Sequence, residues 1–296
     1  MKIGKFYFLL LACILFGSCS KDSEQEIETA DNRTPVVVKM LIGQGQQPAT
    51  LQAGLFMVNF VDNQPNQLQS SDNYVNNQLL TYVNEEWNTA TPIYWKDVET
   101  CADFYAYAPY QESVTDARQL AFSIQTDQDV DGALDQSDFL WGTIQVQSPT
   151  SESFDLTLAH QLSRLTVTVV AEQGFDDNEL QAEDVSVTIG GTKTDCVIDL
   201  ATGEAVASGS AQDVECSNNG DLSYTAILVP QQVPFSNLIQ IDWQGNKYTL
   251  QNSFLLEARR QYSLTVKLKK SKSGFDIGIA GWDIVDEDFG GVIGGN

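Results

Sequence analysis

The stretch Leu165-Thr166-Val167-Thr168-Val169-Val170 alternates apolar and hydroxyl-bearing side chains with a period close to two. That period is typical of a β-strand with one buried face. Gly190-Gly191 is a hairpin signal, and no amphipathic helical run is evident beyond a turn near 159–162. Further strand-like segments lie at 36–42, 55–60, 79–83, 91–95, 102–107, 153–158, 185–189, 238–243, 247–250 and 262–268. Short strands between polar turns predict an all-β chain built from β-sandwiches.

The N-terminus has the residue order of a secretory signal. Lys2 and Lys5 precede an apolar run over 6–16, and Gly17-Ser18 follow it. Cys19 stands at the junction, which predicts a bacterial lipoprotein signal over 1–18 and a lipid on Cys19. The apolar run is too short to span a bilayer as a helix. The alternative is an ordinary secretory signal with an incidental cysteine.

The mature chain is long enough for two ordinary domains, because 278 of the 296 residues follow the signal. Residues 19–33 are mostly polar and acidic, which predicts a disordered tether. A Pro/Ser/Thr-rich bridge at 148–153 separates two sets of predicted strands. We therefore expect an N-terminal β-sandwich over 34–150 and a C-terminal β-sandwich over 151–296.

Composition and motifs argue against several classes of function. The formal net charge of −24 excludes binding to nucleic acid or anionic lipid through bulk electrostatics. The sequence has no P-loop and no Gly-rich dinucleotide motif. His160 is the only histidine and lies between Leu158 and Leu162, so a structural hydrogen-bonded role is favoured over a nucleophilic triad. We expect no catalytic site.

Three cysteines stay in the mature chain besides the lipid-bearing one: Cys101, Cys196 and Cys216. Cys196 and Cys216 flank a Gly/Ser/Ala-rich segment and would be able to pair in an oxidising compartment. The alternative is two free, small residues at strand ends, and the sequence favours neither.

The segment from Asp127 to Asp138 resembles the start of a calcium loop. Carboxylates at alternate positions precede Gly132, and this spacing lets several oxygens converge on one cation. The twelfth position carries Asp in place of the usual Glu, and flanking helices are not predicted. The candidate ligands are Asp127, Asp129, Asp131, Asp135 and Asp138. A solvated acidic loop is the alternative.

An aromatic-rich region offers a second candidate site. Trp87, Tyr105 and Tyr107 would be able to stack on sugar rings if they are exposed. Core packing of a sandwich is the more frequent use of such residues. Glycan binding at the cell surface is therefore kept as an alternative function.

Several segments, taken in order, resemble the fimbrillin-like lipoproteins of Bacteroidales. They include Pro92-Ile93-Tyr94-Trp95, a strand ending in Ala106-Tyr107-Ala108-Pro109-Tyr110, and the closing Ile279-Ala280-Gly281-Trp282. The others are 137–142 and 158–165, and together the resemblance covers nearly the whole mature chain. The acidic stretch after Cys19 is similar to the one that directs such lipoproteins to the outer face of the outer membrane, although a plain linker would look the same.

The resemblance implies a fold and a mode of assembly. The family has two transthyretin-like β-sandwiches in tandem, and its members are stalk, anchor or tip subunits of type V pili that act in adhesion. Proteolysis after an Arg or Lys removes the first strand, and a strand from the next subunit fills the groove. Implied partners are other fimbrial subunits, the outer membrane through the lipid, and a host or bacterial surface ligand.

This sequence departs from the stalk pattern at the expected cutting site. The loop from Gly43 to Gly54 contains no Arg or Lys. Arg33 precedes the first strand, so cutting there would remove only the tether, and Lys39 lies inside the strand. A subunit that keeps its first strand is expected to cap or anchor a filament. The closing segment with Ile277, Ile279 and Trp282 is expected to form the domain's own last strand.

Overall fold

Strands make up almost all of the regular structure in the computed structural model, which describes residues 33–43, 50–172, 174–176, 179–270 and 277–288. The prediction of an all-β chain is confirmed. In chain order the elements are β1 (Val38–Ile42), β2 (Leu51–Asn59), β3 (Val75–Val83), β4 (Glu86–Asn88), β5 (Ala102–Ala108), β6 (Leu120–Ser123), α1 (Ala133–Ser137), β7 (Leu140–Gln147), β8 (Phe154–His160), β9 (Ser163–Ala171), a 3-10 turn (Ala182–Asp184), β10 (Val185–Asp199), β11 (Glu204–Glu215), β12 (Ser217–Gly220), β13 (Ser223–Leu228), β14 (Gln231–Trp243), β15 (Asn246–Leu256), β16 (Arg260–Lys270) and β17 (Ile277–Asp288). Within the described ranges, no helix has the length and apolar character needed to cross a bilayer.

The first sheet has seven strands in the order β1-β8-β7-β5-β2-β3-β4. All of its pairings are antiparallel except that between β1 and β8. Every residue of β5 is buried, because both faces of the sheet are covered at this point. Phe104 faces one apolar cluster and its neighbour Tyr105 faces the other. A strand buried on both faces is typically a continuous apolar run, and 102–108 fits this pattern except at the buried Asp103, whose Oδ1 accepts from Val146 N–H at 2.7 Å.

Two five-stranded sheets form the rest of the molecule. One has the order β11-β10-β14-β15 with β6 beside β10, and the other has the order β12-β13-β9-β16-β17. Their inward side chains meet in one core, in which Val167, Val187, Ile239 and Leu264 are at most 3% exposed. The alternating stretch from which the sequence analysis began is β9, and its Leu165, Val167 and Val169 point into this sandwich core.

The chain passes between the sheets on both sides of the expected boundary near residue 150. β8 follows the boundary in sequence but pairs with β1 and β7 of the first sheet. β6 precedes the boundary but pairs with β10. One apolar cluster contains residues from both halves, from Phe56 to Leu268. The domain limits 34–150 and 151–296 stay a prediction. Buried apolar side chains from both sides of residue 150 contact one another in this cluster.

An ion pair holds the segment just before β6 to the end of β10. Arg118 Nε lies 2.7 Å from Asp199 Oδ1, and Arg118 Nη2 donates to the other oxygen at 2.9 Å. Burial raises the pKa of the Asp199 carboxyl, but the hydrogen bonds from Arg118 and from Ala201 N–H outweigh it, so the pKa lies below its usual value. A lowered carboxyl pKa stabilises the fold above the unfolded-state pKa, near 4, and this contribution is lost as pH falls through the folded-state pKa.

Replacing Asp199 by asparagine is therefore expected to lower the free energy of unfolding by about 1 kcal/mol at pH 7, since the pair is partly solvent-exposed. The deficit relative to the unmodified protein should shrink as pH falls below about 4, because the unmodified carboxyl then becomes protonated too. Urea unfolding between pH 3 and pH 7 measures both effects. Asp62→Asn, at an exposed turn residue, is the control and should show no such convergence.

The turn between β10 and β11 packs against β7 of the first sheet. Trp141 Nε1 donates to the carbonyl of Leu200 at 2.8 Å. Gly203 lies over the same indole with φ of 75°, and a Cβ built there would be 2.5 Å from the ring. Only glycine satisfies both the left-handed backbone and the close approach.

Gly203→Ala is expected to destabilise the protein by about 3 kcal/mol, because it adds overpacking to a strained backbone. Gly220→Ala is the matched control: its φ is 83°, but nothing lies within 4 Å of a new Cβ. This control should cost only about 1 kcal/mol. Equal losses in thermal unfolding would show that the indole does not restrict position 203.

Two local expectations are corrected. The second strand begins at Leu51, four residues earlier than predicted. Gly190-Gly191 is not a hairpin: β10, 15 residues long, runs through this point and is bulged there. A Cβ at Gly190 would lie 2.3 Å from the carbonyl of Asn237, so the neighbouring strand leaves room only for glycine. The other expected turns, after Val83 and at Gln244-Gly245, are present.

Cys196 and Cys216 do not pair, and both are buried and free. Cys216 N–H donates to Val187 near the start of β10, whereas Cys196 lies near the end of that strand. Nine residues of extended strand span about 30 Å, far beyond the ~7 Å between Cα atoms that a disulfide allows. Burial raises the pKa of the Cys196 thiol to about 12, so the thiol is unreactive at neutral pH.

Candidate functional site

β1 is an edge strand with a buried face. Among the described strands it pairs only with β8, in register from Val38 opposite Phe154 to Ile42 opposite Leu158. Val38 and Met40 are 6% and 1% exposed and enter the core of the first sheet. Leu41, between Met40 and Ile42, is 45% exposed. Buried and exposed positions therefore alternate along β1, and a shift by one residue would turn its buried side chains to the solvent, so the register is fixed.

The backbone of β1 bonds to β8 through alternate residues. Val37 carbonyl accepts from Phe154 N–H at 3.1 Å, and Gly43 N–H donates to Leu158 carbonyl at 2.8 Å. On the other edge, Val36 N–H donates to Ile93 carbonyl at 2.8 Å. Successive residues of a strand direct their backbone groups to opposite edges. The backbone N–H and carbonyl groups of residues 38, 40 and 42 therefore point away from β8.

A cleft of about 440 Å³ lies along that outer edge, between β1 and the hairpin of β3 and β4. Trp87 crosses it, and its Nε1 donates to the carbonyl of Met40 at 2.9 Å. The rings of Tyr82 and Trp87 are 5.2 Å apart. The residues that line the cleft are 37–41, Tyr82, Glu85, Glu86 and Trp87. This cleft is not apparent from the sequence, because no local pattern indicates that Trp87 contacts Met40 of β1, 47 residues earlier.

The candidate processing residue Arg33 is exposed just before β1. Its guanidinium lies over the Tyr94 ring, 4.1 Å from the centroid. Lys39 is in the middle of β1, where its backbone faces β8. The lipidation candidate Cys19 and loop residues 44–49 lie outside the described residues, so processing after Arg33 and lipidation of Cys19 stay predictions.

The candidate calcium ligands are distributed over three places. Asp127 accepts from Asp129 N–H at 3.1 Å, and Asp129 accepts from Asn218 N–H at 2.7 Å. Asp138 lies 2.8 Å from Nδ1 of the buried His160 instead. Asp131 and Asp135 lie near α1, the former just before it and the latter within its five residues. No group of three His, Cys, Asp or Glu side chains suited to a metal ion occurs in the part of the chain that the structure describes, and calcium binding stays a prediction.

A different carboxylate approaches the start of the acidic loop. The backbones of Asp127 and Glu215, the last residue of β11, form an isolated β-bridge. Burial raises the pKa of Glu215, and the charges of Asp127 and Asp129 raise it further. These like charges repel one another.

The aromatic candidates divide by exposure. Tyr107 is fully buried, its hydroxyl donates to Asn77 Oδ1 at 2.9 Å, and burial raises its pKa to about 12. Tyr105 is 5% exposed and packs in the same core. Both rings are therefore turned away from any surface ligand, and the hypothesis of glycan contact rests on the half-buried Trp87.

The model of one protein family matches residues 48–282 of this chain, and the description of that family is fimbrillin-like. The chain belongs to the fimbrillin-like family. The match begins just before β2 and ends within β17, so in this fimbrillin-like protein it includes β2 to β16 and part of β17, whereas β1 lies before it. The resemblance inferred from motif order is thereby confirmed.

Two solved structures show the same fold at low sequence identity. A candidate cell adhesion protein from Bacteroides uniformis is 18% identical, with a TM-score of 0.65, over 88% of this chain and 99% of the other. A candidate cell adhesion protein from Bacteroides ovatus is 16% identical, with a TM-score of 0.67 and the same coverage. No curated protein matches the chain.

Proposed function

We propose that this protein is a surface-anchored fimbrial subunit that takes part in adhesion and joins other subunits by β-strand addition. Membership of the fimbrillin-like family supports the fimbrial role. The two proteins with similar structures are described as candidate cell adhesion proteins, and this supports an adhesive function. The role is structural, and no catalytic step is part of it.

The observation that carries the proposal is the geometry of β1. It is short, lies at a sheet edge and pairs with one described strand, yet it contributes the buried Val38 and Met40 to the core. Removing it would leave β8 with open backbone groups and the core with two vacated side-chain positions. A strand from another subunit with apolar residues two apart fits that requirement, since main-chain bonds give affinity and alternate side chains give register.

We further propose that the subunit keeps β1 and occupies the end of a filament, as an anchor or accessory component. The loop between β1 and β2 has no Arg or Lys in residues 43–54. Cutting after Arg33 would leave β1 in place. With its own groove filled, the subunit joins a neighbour without accepting a strand there, so it does not propagate an open chain. Lipid on Cys19 would hold it at the outer membrane, facing outward.

Separation of surface shearings and membranes on native gels tests the proposal, with the chain detected by antibody. The expected result is a membrane-bound pool together with high-mass assemblies that contain this chain and other subunits. A protein found only as a lipidated monomer, with no partner after mild crosslinking, would contradict it.

A further inference from the structure

We propose that the cleft between β1 and the β3–β4 hairpin binds an extended segment of another polypeptide, one with alternating apolar side chains and at least one Lys or Arg. The segment adds to the outer edge of β1 while β1 stays paired with β8. This inference goes beyond the proposed function and rests on its statement that β1 is retained, because it assigns a binding site to the edge of β1 that faces away from β8.

The first argument is the set of backbone groups that face the cleft. Residues 38, 40 and 42 direct their N–H and carbonyl groups to this edge, since the residues between them bond to β8. Towards the N-terminus the same edge is already paired, through Val36 with Ile93 and Thr34 with Trp95. The cleft thus continues an edge that accepts strand pairing in this fold. Exposed strand edges of this kind are templates for a further strand.

The second argument is the way Trp87 uses the edge. Its indole N–H donates to Met40 carbonyl, which is one of the outward backbone acceptors of β1. The indole N–H thus donates to a carbonyl that would otherwise accept a backbone N–H of a neighbouring strand. A backbone N–H of an added segment would replace the indole N–H at the Met40 carbonyl, and the segment's side chains would pack against Trp87 and Tyr82, which line the cleft.

The side chains that line the cleft determine which kind of segment it binds. Val37 and Leu41, 42% and 45% exposed, supply apolar contact on the solvent face of β1. Glu85 and Glu86 are exposed at the opposite wall, against the single ammonium of Lys39. Two carboxylates and one ammonium leave the cleft negative, in a protein whose net charge is −24. A basic, apolar strand is complementary to these walls.

Amide hydrogen exchange of the full chain, followed by NMR, tests the inference with a defined peptide. The peptide has the sequence of residues 262–270, Tyr-Ser-Leu-Thr-Val-Lys-Leu-Lys-Lys, which alternates apolar residues and carries three lysines. In the free protein the amides of Val38, Met40 and Ile42 should exchange at least tenfold faster than those of Lys39 and Leu41. Millimolar peptide should slow the three fast amides at least tenfold and leave the other two protected.

Two controls separate strand addition from other kinds of binding. The same peptide N-methylated at alternate residues keeps its side chains but loses its donors, and it should give no protection. Glu85→Lys with Glu86→Lys should weaken the peptide's affinity about tenfold, whereas Glu152→Lys with Glu204→Lys, at exposed positions elsewhere, should not change it.

Each other outcome overturns the inference in a distinct way. Protection of Val38, Met40 and Ile42 without peptide would mean that a segment of this chain already covers the edge. Loss of protection at Lys39 and Leu41 on adding peptide would mean that the peptide displaces β1 from β8, which contradicts both addition at the outer edge and the proposed retention of β1. Equal binding of the N-methylated peptide would mean that the cleft recognises shape or aromatic contact, as a glycan site would. No change at any β1 amide would mean that the edge is not a docking site.

Discussion

Replacing Met40 by alanine is expected to lower the free energy of unfolding by about 2–5 kcal/mol, although Met40 lies in a five-residue strand at the edge of a sheet. Its side chain is 1% exposed and packs in the core of the first sheet. Truncation removes buried methylene and thioether contacts and leaves a cavity between β1 and its neighbours. Urea unfolding followed by tryptophan fluorescence measures the loss.

The neighbouring residue provides the control. Leu41 is 45% exposed and points away from that core, so Leu41→Ala should change stability by no more than about 0.5 kcal/mol. A small loss for both variants would mean that β1 is an appendage of the fold. The proposal of a groove that a strand can fill would then lose its physical basis.

Cutting the chain between β1 and β2 is expected to convert β1 into an exchangeable strand. A protease recognition sequence substituted for residues 44–49 allows the cut to be made after folding. The cut segment is then held only by its main-chain bonds to β8 and by its buried side chains, without the millimolar effective concentration that a short linker supplies. Added isotope-labelled peptide of residues 34–43 should replace the original segment one for one, as native mass spectrometry would detect.

The uncut protein is the first control for this exchange and should not release its strand. The second control is the labelled peptide with Met40→Asp, which should fail to replace the segment because it would bury an unpaired charge. Exchange that proceeds equally with this peptide would show that the buried side chains do not set the register. A cut protein that stays folded but never exchanges would contradict strand addition at this groove on any useful timescale.

Much of the strand content could be predicted because it depends on local patterns. In β9 the inward Leu165, Val167 and Val169 alternate with outward Arg164, Thr166 and Thr168, and a period of two is visible in any window. The turn at Gln244-Gly245 is equally local, since Gly245 has a φ of 80°. Ile277 and Ile279 fall in β17, which pairs with β16 as the domain's own last strand, as expected.

The errors arose where long-range contacts decide the structure. Gly190-Gly191 has the composition of a hairpin turn, but β11 and β14 flank β10 on both edges and hold it extended through a bulge. The domain limits stay a prediction, but β6 and β8 pair with strands across the Pro/Ser/Thr-rich bridge at 148–153, and no local pattern signals these pairings. The parallel pairing of β1 with β8 joins segments more than 100 residues apart.

The surroundings of the candidate site residues also depend on long-range contacts. Tyr105 and Tyr107 lie on a strand covered on both faces, and only the packing of a second sheet reveals that their rings are internal. Asp138 was grouped with the acidic loop by spacing, but the structure pairs it with His160, 22 residues later. The cleft beside β1 depends on two segments that lie more than 40 residues apart in the chain, so no single motif encodes it.

Mass spectrometry of the native N-terminus tests the central claim, that this fimbrillin-like subunit retains β1 within an assembled fimbria. The protein would be isolated from high-mass assemblies in surface shearings and, separately, from membranes. The account predicts chains that begin at a lipidated Cys19 or directly after Arg33, in assemblies that also contain other subunits. Chains in sheared polymer that begin within residues 44–54 would contradict it, because β1 would then have been removed and its groove would hold the strand of a neighbour.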